Sequence, residues 1–559
     1  MVKGEFSELE RKALERFVTS ATDRIYACRA DLPPEVFGAF GSFFSRNPKD
    51  LRGHLLDAIM GRISGHESDD VSGQQNLAKL ACGEFVGPAE ALKSGVSKAQ
   101  SFFKEWYGKY SHKSIANVVW IPFVGTNVSQ LFARQLAYDQ LAFFIEQSTR
   151  FVKFDVENLY LDEKVMASSH RDTFVGTLRR AAEVYEQFTE RAADHYGQLL
   201  PFETWLPQQS DATRGMQERQ QKIKYRRELK AKAFDVARFL LPQAVRTNIA
   251  WILDARSTEF NIGTWKGHPL TEIQESAQLI ETAGGAIAPS LLKYTDKNNY
   301  YADQYGGFAG ALRVELSPAQ MTKGVDVLSY DSQAFDKAVA MLLMRSNRST
   351  DFKRFLQHAG GMSFDDKVNV LRRVTEKRGH YDEWVDIEEA FDCVRITAQV
   401  RTDIGAVRDL RRHQKWDRNE GLYTLDNGFS LPEVVREMGS DAVALYTEVM
   451  ERASDMERAL RGEFPHEAQY VIPMAAFHPL VMSGGLDQLQ YFVATRTVPQ
   501  GHFSYREDAY NLAEAVCKVH PWLLGLQEYP VGKKIEDVVR DAPLKNVLRP
   551  YIGETSWHT

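Results

Sequence analysis

The chain has 559 residues, of which 43 % are hydrophobic and 26 % charged, a composition typical of soluble proteins with buried cores. Lys and Arg number 69 and Asp and Glu 75, and the net charge of −6 argues against a dedicated nucleic-acid-binding protein. The length predicts about two to four domains.

In chain order, the predicted elements begin with a helical N-terminal extension over residues 1–75, where apolar positions recur at helical spacing. The polar stretch HESDDVSGQ at 66–74 marks the boundary to a first domain over 76–325. A second polar stretch lies at 293–310. Helical patterning then restarts in VDVLSYDSQAFDKAVAMLLMRS, which predicts a second domain over 326–559.

The ends and apolar runs of the chain predict where the protein works. No apolar run approaches the roughly 18 residues of a membrane helix. The N-terminal sequence MVKGEFSELERKALERF is charged and lacks the apolar core of a signal peptide. We therefore expect a cytoplasmic protein with no membrane partner.

Several common sites are missing from the sequence. Its four cysteines are far apart, and it has no CxxC, no Cys/His cluster at zinc spacing and no HExxH. It also lacks a Walker A loop, a GxSxG elbow and a GxGxxG fingerprint. We expect no disulfide framework, no metal site and none of the usual nucleotide-binding or hydrolase motifs.

Two segments, 111–154 and 379–425, share one order of features. Each starts with a small residue and a histidine, continues through a β-branched run, and enters an amphipathic stretch with an arginine. Each ends in a polar segment with a glutamate, Glu146 or Glu420. This order predicts a diverged tandem duplication.

The duplication continues downstream, where DVARFLLP at 235–242 matches HEAQYVIP at 466–473. The longer spacing in the first copy predicts an insertion at about 185–233. The insertion includes the basic sequence RQQKIKYRRELKAKA. An RNA-binding helix is one interpretation of that sequence, but its flanking glutamates favour a solvated helix.

In the first copy, Glu146, Ser148 and Arg150 share one face of an extended segment. Arginine offers a forked donor to phosphate, serine a hydroxyl, and glutamate an acceptor for a ribose or base. A solvated strand face with an ion pair is the alternative for this pattern taken alone.

In the second copy, Arg412 and His413 follow a stretch with several further arginines and precede Asn419 and Glu420. An Arg–His pair beside other arginines is typical of an anion or flavin-phosphate site. A solvated basic helix face is the alternative.

Together these motifs resemble the flavin-dependent thymidylate synthases, whose pattern is RHRxxSxNExSxRY. The first copy keeps the ExSxR end, and the second copy keeps RH and NE. Downstream, the first copy has an arginine before Leu241-Pro242 and then DARS, close to the family's NARS. In the second copy, the family spacing reaches Arg496.

The resemblance implies a helix-rich α+β fold with two tandem family-like domains after the N-terminal extension. Family members form homotetramers with active sites between subunits, which implies a homodimer of this chain that mimics a tetramer. Complementary losses in the two copies imply a composite site. Its implied nucleotide-binding residues are Gln135, Glu146, Ser148, Arg150, Arg238 and Arg412. Its implied cofactor-binding residues are His112, Asp254, Arg256, His380, Arg412, His413, Asn419 and Glu420.

The implied reaction is reductive methylation of dUMP to dTMP, with methylenetetrahydrofolate as carbon donor and NADPH as reductant of FAD. Arg496 is the implied catalytic residue, because a fixed cation would favour the N3-deprotonated nucleotide. Neither copy has a cysteine inside these motifs, which fits a route without a protein nucleophile. Two alternatives stay open: alkylation of another pyrimidine nucleotide, and a catalytically inactive nucleotide-binding or scaffold homologue.

Overall fold

A computed structural model of the protein describes residues 6–22, 27–42, 51–62, 71–84, 92–109, 113–154, 158–307, 314, 320–348, 351–375, 389–497 and 501–525. Within these ranges the fold is helix-rich with two β-sheets, which confirms the predicted α+β class. His112 and His380 lie outside the described residues.

The strands are β1 Trp120–Ser129, β2 Phe143–Glu146, β3 Arg246–Asp254, β4 Gly324–Tyr330, β5 Arg395–Asp403, β6 Asp417–Glu420 and β7 Phe477–Gly485. The helices of the first half are α1 Glu8–Leu14, α2 Pro34–Ser42, α3 Leu51–Ile59, α4 Val71–Ala81, α5 Lys93–Phe103, α6 Gln130–Ala137, α7 Glu163–Met166, α8 Arg171–Leu199, α9 Phe202–Trp205, α10 Asp211–Arg214, α11 Glu218–Ala237, α12 Ala255–Trp265, α13 Thr271–Ile287 and α14 Asn299–Tyr305. Those of the second half are α15 Ala334–Ser346, α16 Phe352–Gly361, α17 Phe364–Thr375, α18 Ile404–Leu410, α19 Glu433–Glu437, α20 Ser440–Arg461, α21 Leu486–Arg496 and α22 Phe503–Val519.

The chain divides into two compact units that do not follow the order of the sequence. Unit 1 comprises residues 1–125, 141–145 and 250–314, and unit 2 comprises residues 126–140, 146–249 and 315–559. Unit 2 therefore contains segments from both predicted domains.

Unit 2 contains a four-stranded sheet in the order β4-β5-β7-β6. Its pairs are antiparallel, and β5 and β7 are in register from Arg395 with Gly485 to Asp403 with Phe477. Buried and half-buried positions alternate along both central strands, because successive side chains of a strand point to opposite faces. The buried face packs on a core that includes Val400, Met482 and Phe492. The other sheet has three strands in the order β1-β3-β2.

The order of elements occurs twice, as the predicted duplication requires. The first copy runs β1, α6, β2, then a 3₁₀ turn at Arg238–Leu240, β3 and α12. The second copy runs β5, α18, β6, then a 3₁₀ turn at Glu467–Val471, β7 and α21. Strands β3 and β7 both have 9 residues, and α12 and α21 both have 11.

Corresponding helices also begin in the same way. Ser129 caps α6 by accepting the N–H groups of Leu131 and Phe132, and Asp403 caps α18 by accepting the N–H of Ala406. A side-chain oxygen at this position satisfies amides that have no partner inside the helix. The two caps fix where each helix starts and therefore which side chains it presents.

Candidate anion-binding site

Two proline-containing turns of unit 2 cross and bring the copies together. Pro242 and Pro473 form an isolated antiparallel bridge. Because proline has no N–H, the residues that follow make the hydrogen bonds. The N···O distances are 3.0 Å from Gln243 to Ile472 and 2.9 Å from Met474 to Leu241. Each turn thus donates to and accepts from the other, and the crossing fixes the 3₁₀ turn that carries Arg238.

Two ion pairs have the same reciprocal pattern. Arg408 Nε lies 3.1 Å from each carboxylate oxygen of Glu146, and Arg408 Nη2 donates to the carbonyl of the next residue at 2.9 Å. Arg134 Nη2 lies 3.5 Å from Glu420 Oε2 and donates to the carbonyl of the next residue at 2.5 Å. Each pair joins an arginine of one copy to a glutamate of the other.

Four arginines, called here the arginine cluster, place positive charge around the buried carboxylate of Asp409. They are Arg150 and Arg238 from the first copy and Arg412 and Arg496 from the second. Arg238 Nη1 lies 3.2 Å from Asp409 Oδ2, and Arg412 Nη2 lies 3.8 Å from Asp409 Oδ1. Burial alone would raise the pKa of Asp409, but the four guanidiniums hold it well below its ordinary value.

Arg496 is held in place by two aromatic neighbours. Its Nε donates to His413 Nε2 at 2.7 Å, and its guanidinium lies 5.2 Å from the centre of the Tyr505 ring. Burial, together with the positive charge of Arg496, holds the pKa of His413 well below its ordinary value, so the imidazole is neutral and can accept. Within the described residues, the Nη atoms of Arg496 make no hydrogen bond.

Arg150 is used inside the protein. Its Nε and Nη2 donate to the two carboxylate oxygens of Asp235 at 2.7 and 3.1 Å, and its Nη1 donates to Tyr505 Oη at 3.4 Å. The sequence predicted that Arg150 and Glu146 bind the nucleotide directly. The structure places both in the candidate site but pairs each with a protein group, Asp235 and Arg408.

Glu420 differs from the expectation that it lies beside Arg412. Arg411 donates to its carboxylate at 2.9 and 2.7 Å, and His478 Nε2 lies 3.1 Å from Oε2. Burial would raise the pKa of Glu420, but Arg411 and Arg134 hold it well below its ordinary value. The physical reason is strand alternation, because β6 exposes Asn419 and turns the Glu420 side chain inward.

The other predicted residues take varied positions. Asp254, predicted to contact the cofactor, is instead the N-cap of α12, where its carboxylate accepts the N–H groups of Arg256 and Ser257 at 3.0 Å. Arg256 itself is exposed. Ser148 is half-buried and accepts the N–H of Arg150, and Gln135 is a half-buried residue of α6.

The arrangement is suited to binding an anion. The arginine cluster exceeds its internal carboxylates, Asp235 and Asp409, in charge. Arg238 is buried, and its Nε and Nη2 have no hydrogen-bond partner within the described residues. Buried guanidinium donors without a partner are costly unless a ligand satisfies them.

Sequence reasoning missed Asp409, Asp235 and Arg411. For Asp409 a signal was available: Arg134 and Arg408 correspond in the two copies, so Asp409 corresponds to Gln135. Asp235 and Arg411 lie beside the matched motifs but outside them. Among the described residues, no group of His, Cys, Asp and Glu is placed to hold a metal. None of the helices in these ranges combines the length and apolar character needed to span a membrane.

Comparison with known proteins identifies the family. A family model described as thymidylate synthase complementing protein matches residues 60–290 and again residues 327–522. A UPF0159 protein of Chlamydia pneumoniae is 27% identical over 538 residues, which cover 92% of this chain and 93% of that protein. A flavin-dependent thymidylate synthase of Clostridium tetani is 24% identical over 222 residues, covering 39% of this chain and 80% of that enzyme.

One solved structure was also found to be similar. A UMP/dUMP methylase of Streptomyces cacaoi, bound to 5-Br dUMP, is 17% identical with a TM-score of 0.29. The match covers 38% of this chain and 99% of that protein. At this score the likeness bears on neither fold nor function.

Proposed function

Because the chain belongs to the thymidylate synthase complementing protein family, we propose that it is a flavin-dependent nucleotide methyltransferase that converts dUMP to dTMP. The observation that carries the proposal is the arginine cluster, to which each copy contributes two arginines. A phosphate or an ionised uracil is the kind of group that such a cluster would bind.

In this proposal Arg496 is the catalytic residue. Its Nε is bound by His413 and its face lies against Tyr505, so its Nη donors have a fixed direction. A fixed cation favours the N3-deprotonated uracil, which makes C5 nucleophilic without a covalent bond to the protein. Arg238 and Arg412 would hold the nucleotide, and Glu146 would act by fixing Arg408.

The proposed cofactors are FAD, NADPH and methylenetetrahydrofolate. Bound FAD would carry hydride from NADPH to the methylene group that the folate places on C5, as the C5 proton leaves. The residues fit FAD in part, because Arg412 and Asn419 are exposed and able to contact it. Glu420, Asp254 and His413 are engaged by protein groups, so their contribution to FAD binding would be indirect.

The proposed architecture has family-like domains at 76–325 and 326–559, each related to one match of the family model. Supporting this, the crossing at Pro242 and Pro473 and the reciprocal ion pairs relate the copies within one chain. The assembly we propose is a homodimer that mimics the tetramer of single-copy relatives.

The test is tritium release from 5-tritiated dUMP with methylenetetrahydrofolate, NADPH and FAD, together with the visible spectrum of the protein. We expect flavin absorbance and tritium release that Arg496→Ala abolishes. Protein that stays colourless with added FAD contradicts the flavin proposal. Flavin binding without tritium release leaves the substrate wrong and favours another pyrimidine nucleotide.

A mixing experiment locates the composite site. Arg150→Ala and Arg412→Ala should each lower activity strongly. Both side chains belong to unit 2 of one chain, so mixing the variants should restore no activity. Recovery on mixing would show that the site forms between chains. An inactive scaffold would release no tritium while still binding dUMP.

A further inference from the structure

Asp409 is an unusual group to find in a site built to bind an anion. Its carboxylate is only 6% exposed and contacts Arg238 at 3.2 Å and Arg412 at 3.8 Å. Both arginines belong to the set that would hold an anionic ligand. A negative charge therefore already occupies part of the surface that a phosphate would use.

The carboxylate is also ionised at any pH where the protein would work. Burial raises its pKa, but Arg238 and Arg412, with Arg496 and Arg150, lower it by more. A ligand phosphate would meet a full negative charge in surroundings that screen charge poorly. The contact with Arg238 also uses a donor that phosphate would otherwise accept.

The first copy has a neutral residue at this place. Helix α6 starts after its cap Ser129 and α18 after its cap Asp403, and the paired arginines Arg134 and Arg408 lie at the same distance from these caps. The next residue is Gln135 in one helix and Asp409 in the other. The carboxylate is therefore a feature of the second copy and is not required by the helix.

Arg238 shows that the pair is incomplete. Asp409 accepts from Nη1 only, and Nε and Nη2 have no partner within the described residues. A Cβ atom on Gly405 would lie 3.4 and 3.5 Å from these two nitrogens, so the absence of a side chain there leaves them room. Arg238 is held but not saturated by Asp409.

We propose that Asp409 is a specificity-determining residue that lowers the affinity of the arginine cluster for phosphate. This inference rests on the proposed function and narrows its substrate class. The site should bind a pyrimidine nucleoside and its 5′-monophosphate with affinities that differ by less than about tenfold. Removal of the carboxylate should restore a preference for the monophosphate, because it ends the repulsion and frees Nη1 of Arg238.

The experiment measures calorimetric Kd values for inorganic phosphate, dUMP and deoxyuridine with the full chain. Asp409→Asn removes the charge at constant shape, and Asp409→Gln introduces the residue of the first copy. Asp426→Asn is the matched control, because Asp426 is also paired with arginines, Arg458 and Arg461, elsewhere in unit 2. Both Asp409 variants should bind phosphate at least about tenfold more tightly than wild type, with the control unchanged.

The ratio of the deoxyuridine Kd to the dUMP Kd should rise by a similar factor in both variants. An unchanged or smaller ratio, or no gain in phosphate affinity, overturns the proposal. A wild-type protein that prefers dUMP by more than about a hundredfold overturns it without any variant. If neither dUMP nor deoxyuridine binds, the proposed function fails, and the phosphate titration still decides the role of Asp409.

Discussion

At the scale of single residues, the arginines of the candidate site differ in how far the protein already uses them. Arg150 makes two hydrogen bonds to Asp235 and one to Tyr505, whereas Arg496 makes one, through Nε to His413. A guanidinium with all its donors engaged shapes a site. One with free donors can bind a ligand. The same residue type thus has two functions in one cluster.

Substitution of Arg150 should reveal its structural role. Arg150→Met leaves the Asp235 carboxylate, which is 2% exposed, without its partner. Loss of one member of a buried pair costs about 3–5 kcal/mol, measured as the free energy of unfolding in urea. Arg395→Met is the control, since the Arg395–Asp417 pair is more than half exposed and should cost at most about 1 kcal/mol. Equal effects would show that Arg150 is not a buried structural arginine.

His413 offers a second prediction, which depends on the proposed function. Glutamine can still accept the hydrogen bond of Arg496 Nε, but leucine cannot. His413→Leu should lower kcat for tritium release by about a hundredfold with a smaller change in KM, because the catalytic cation loses its direction. His413→Gln should recover most of this loss. Equal losses in both variants would show that His413 acts through something other than this bond.

At the scale of elements, α11 shows what a basic sequence does in the folded chain. Its Tyr225 donates to the carbonyl of Leu200 at 2.6 Å and packs against Trp205, and Lys224 donates to Thr213 Oγ1 at 2.8 Å. An aromatic ring fixed in this way is poorly placed to stack on a nucleic-acid base. The contacts favour the solvated, packed helix over the RNA-binding interpretation.

The same helix carries a pH-sensitive carboxyl group. Burial raises the pKa of Glu228 to about 7 against an ordinary 4.5, and the Trp205 indole donates to Oε2 at 2.6 Å. A raised carboxyl pKa means that the folded state binds the extra proton, so stability falls as pH rises from about 4.5 to about 7. Glu228→Gln should therefore raise Tm more at pH 8.5 than at pH 5. Glu190→Gln, at an exposed site on α8, should shift Tm equally at both values.

At this scale the sequence was a good guide to order and a poor guide to pairing. Repeated strand, helix and turn signals predicted the elements around Arg134 and Arg408, and the helices are present at both places. The partners could not be predicted, because Arg411 and Arg412 are neighbours in sequence that serve different glutamate and aspartate groups. Which arginine faces which carboxylate depends on helix and strand geometry that no local pattern encodes.

At the scale of the whole molecule, unit 2 joins segments that are far apart in sequence. Residues 126–140 and 146–249 belong to one unit with residues 315–559. The crossing at Pro242 and Pro473 and the ion pairs Arg408–Glu146 and Arg134–Glu420 connect them without help from the intervening chain. The duplication is therefore built as a pair of copies that complete each other.

This architecture predicts that the chain can be cut between its copies and remain associated. A protease site inserted between residues 314 and 320 would, after cleavage, give two fragments that still share backbone hydrogen bonds and buried ion pairs. They should elute together in gel filtration and separate only in denaturant. Arg408→Ala, which leaves Glu146 buried without its partner, should weaken the association of the cut protein, whereas Arg395→Ala should not. Cut fragments that separate in native buffer would show that the connecting chain, and not the reciprocal contacts, holds the copies together.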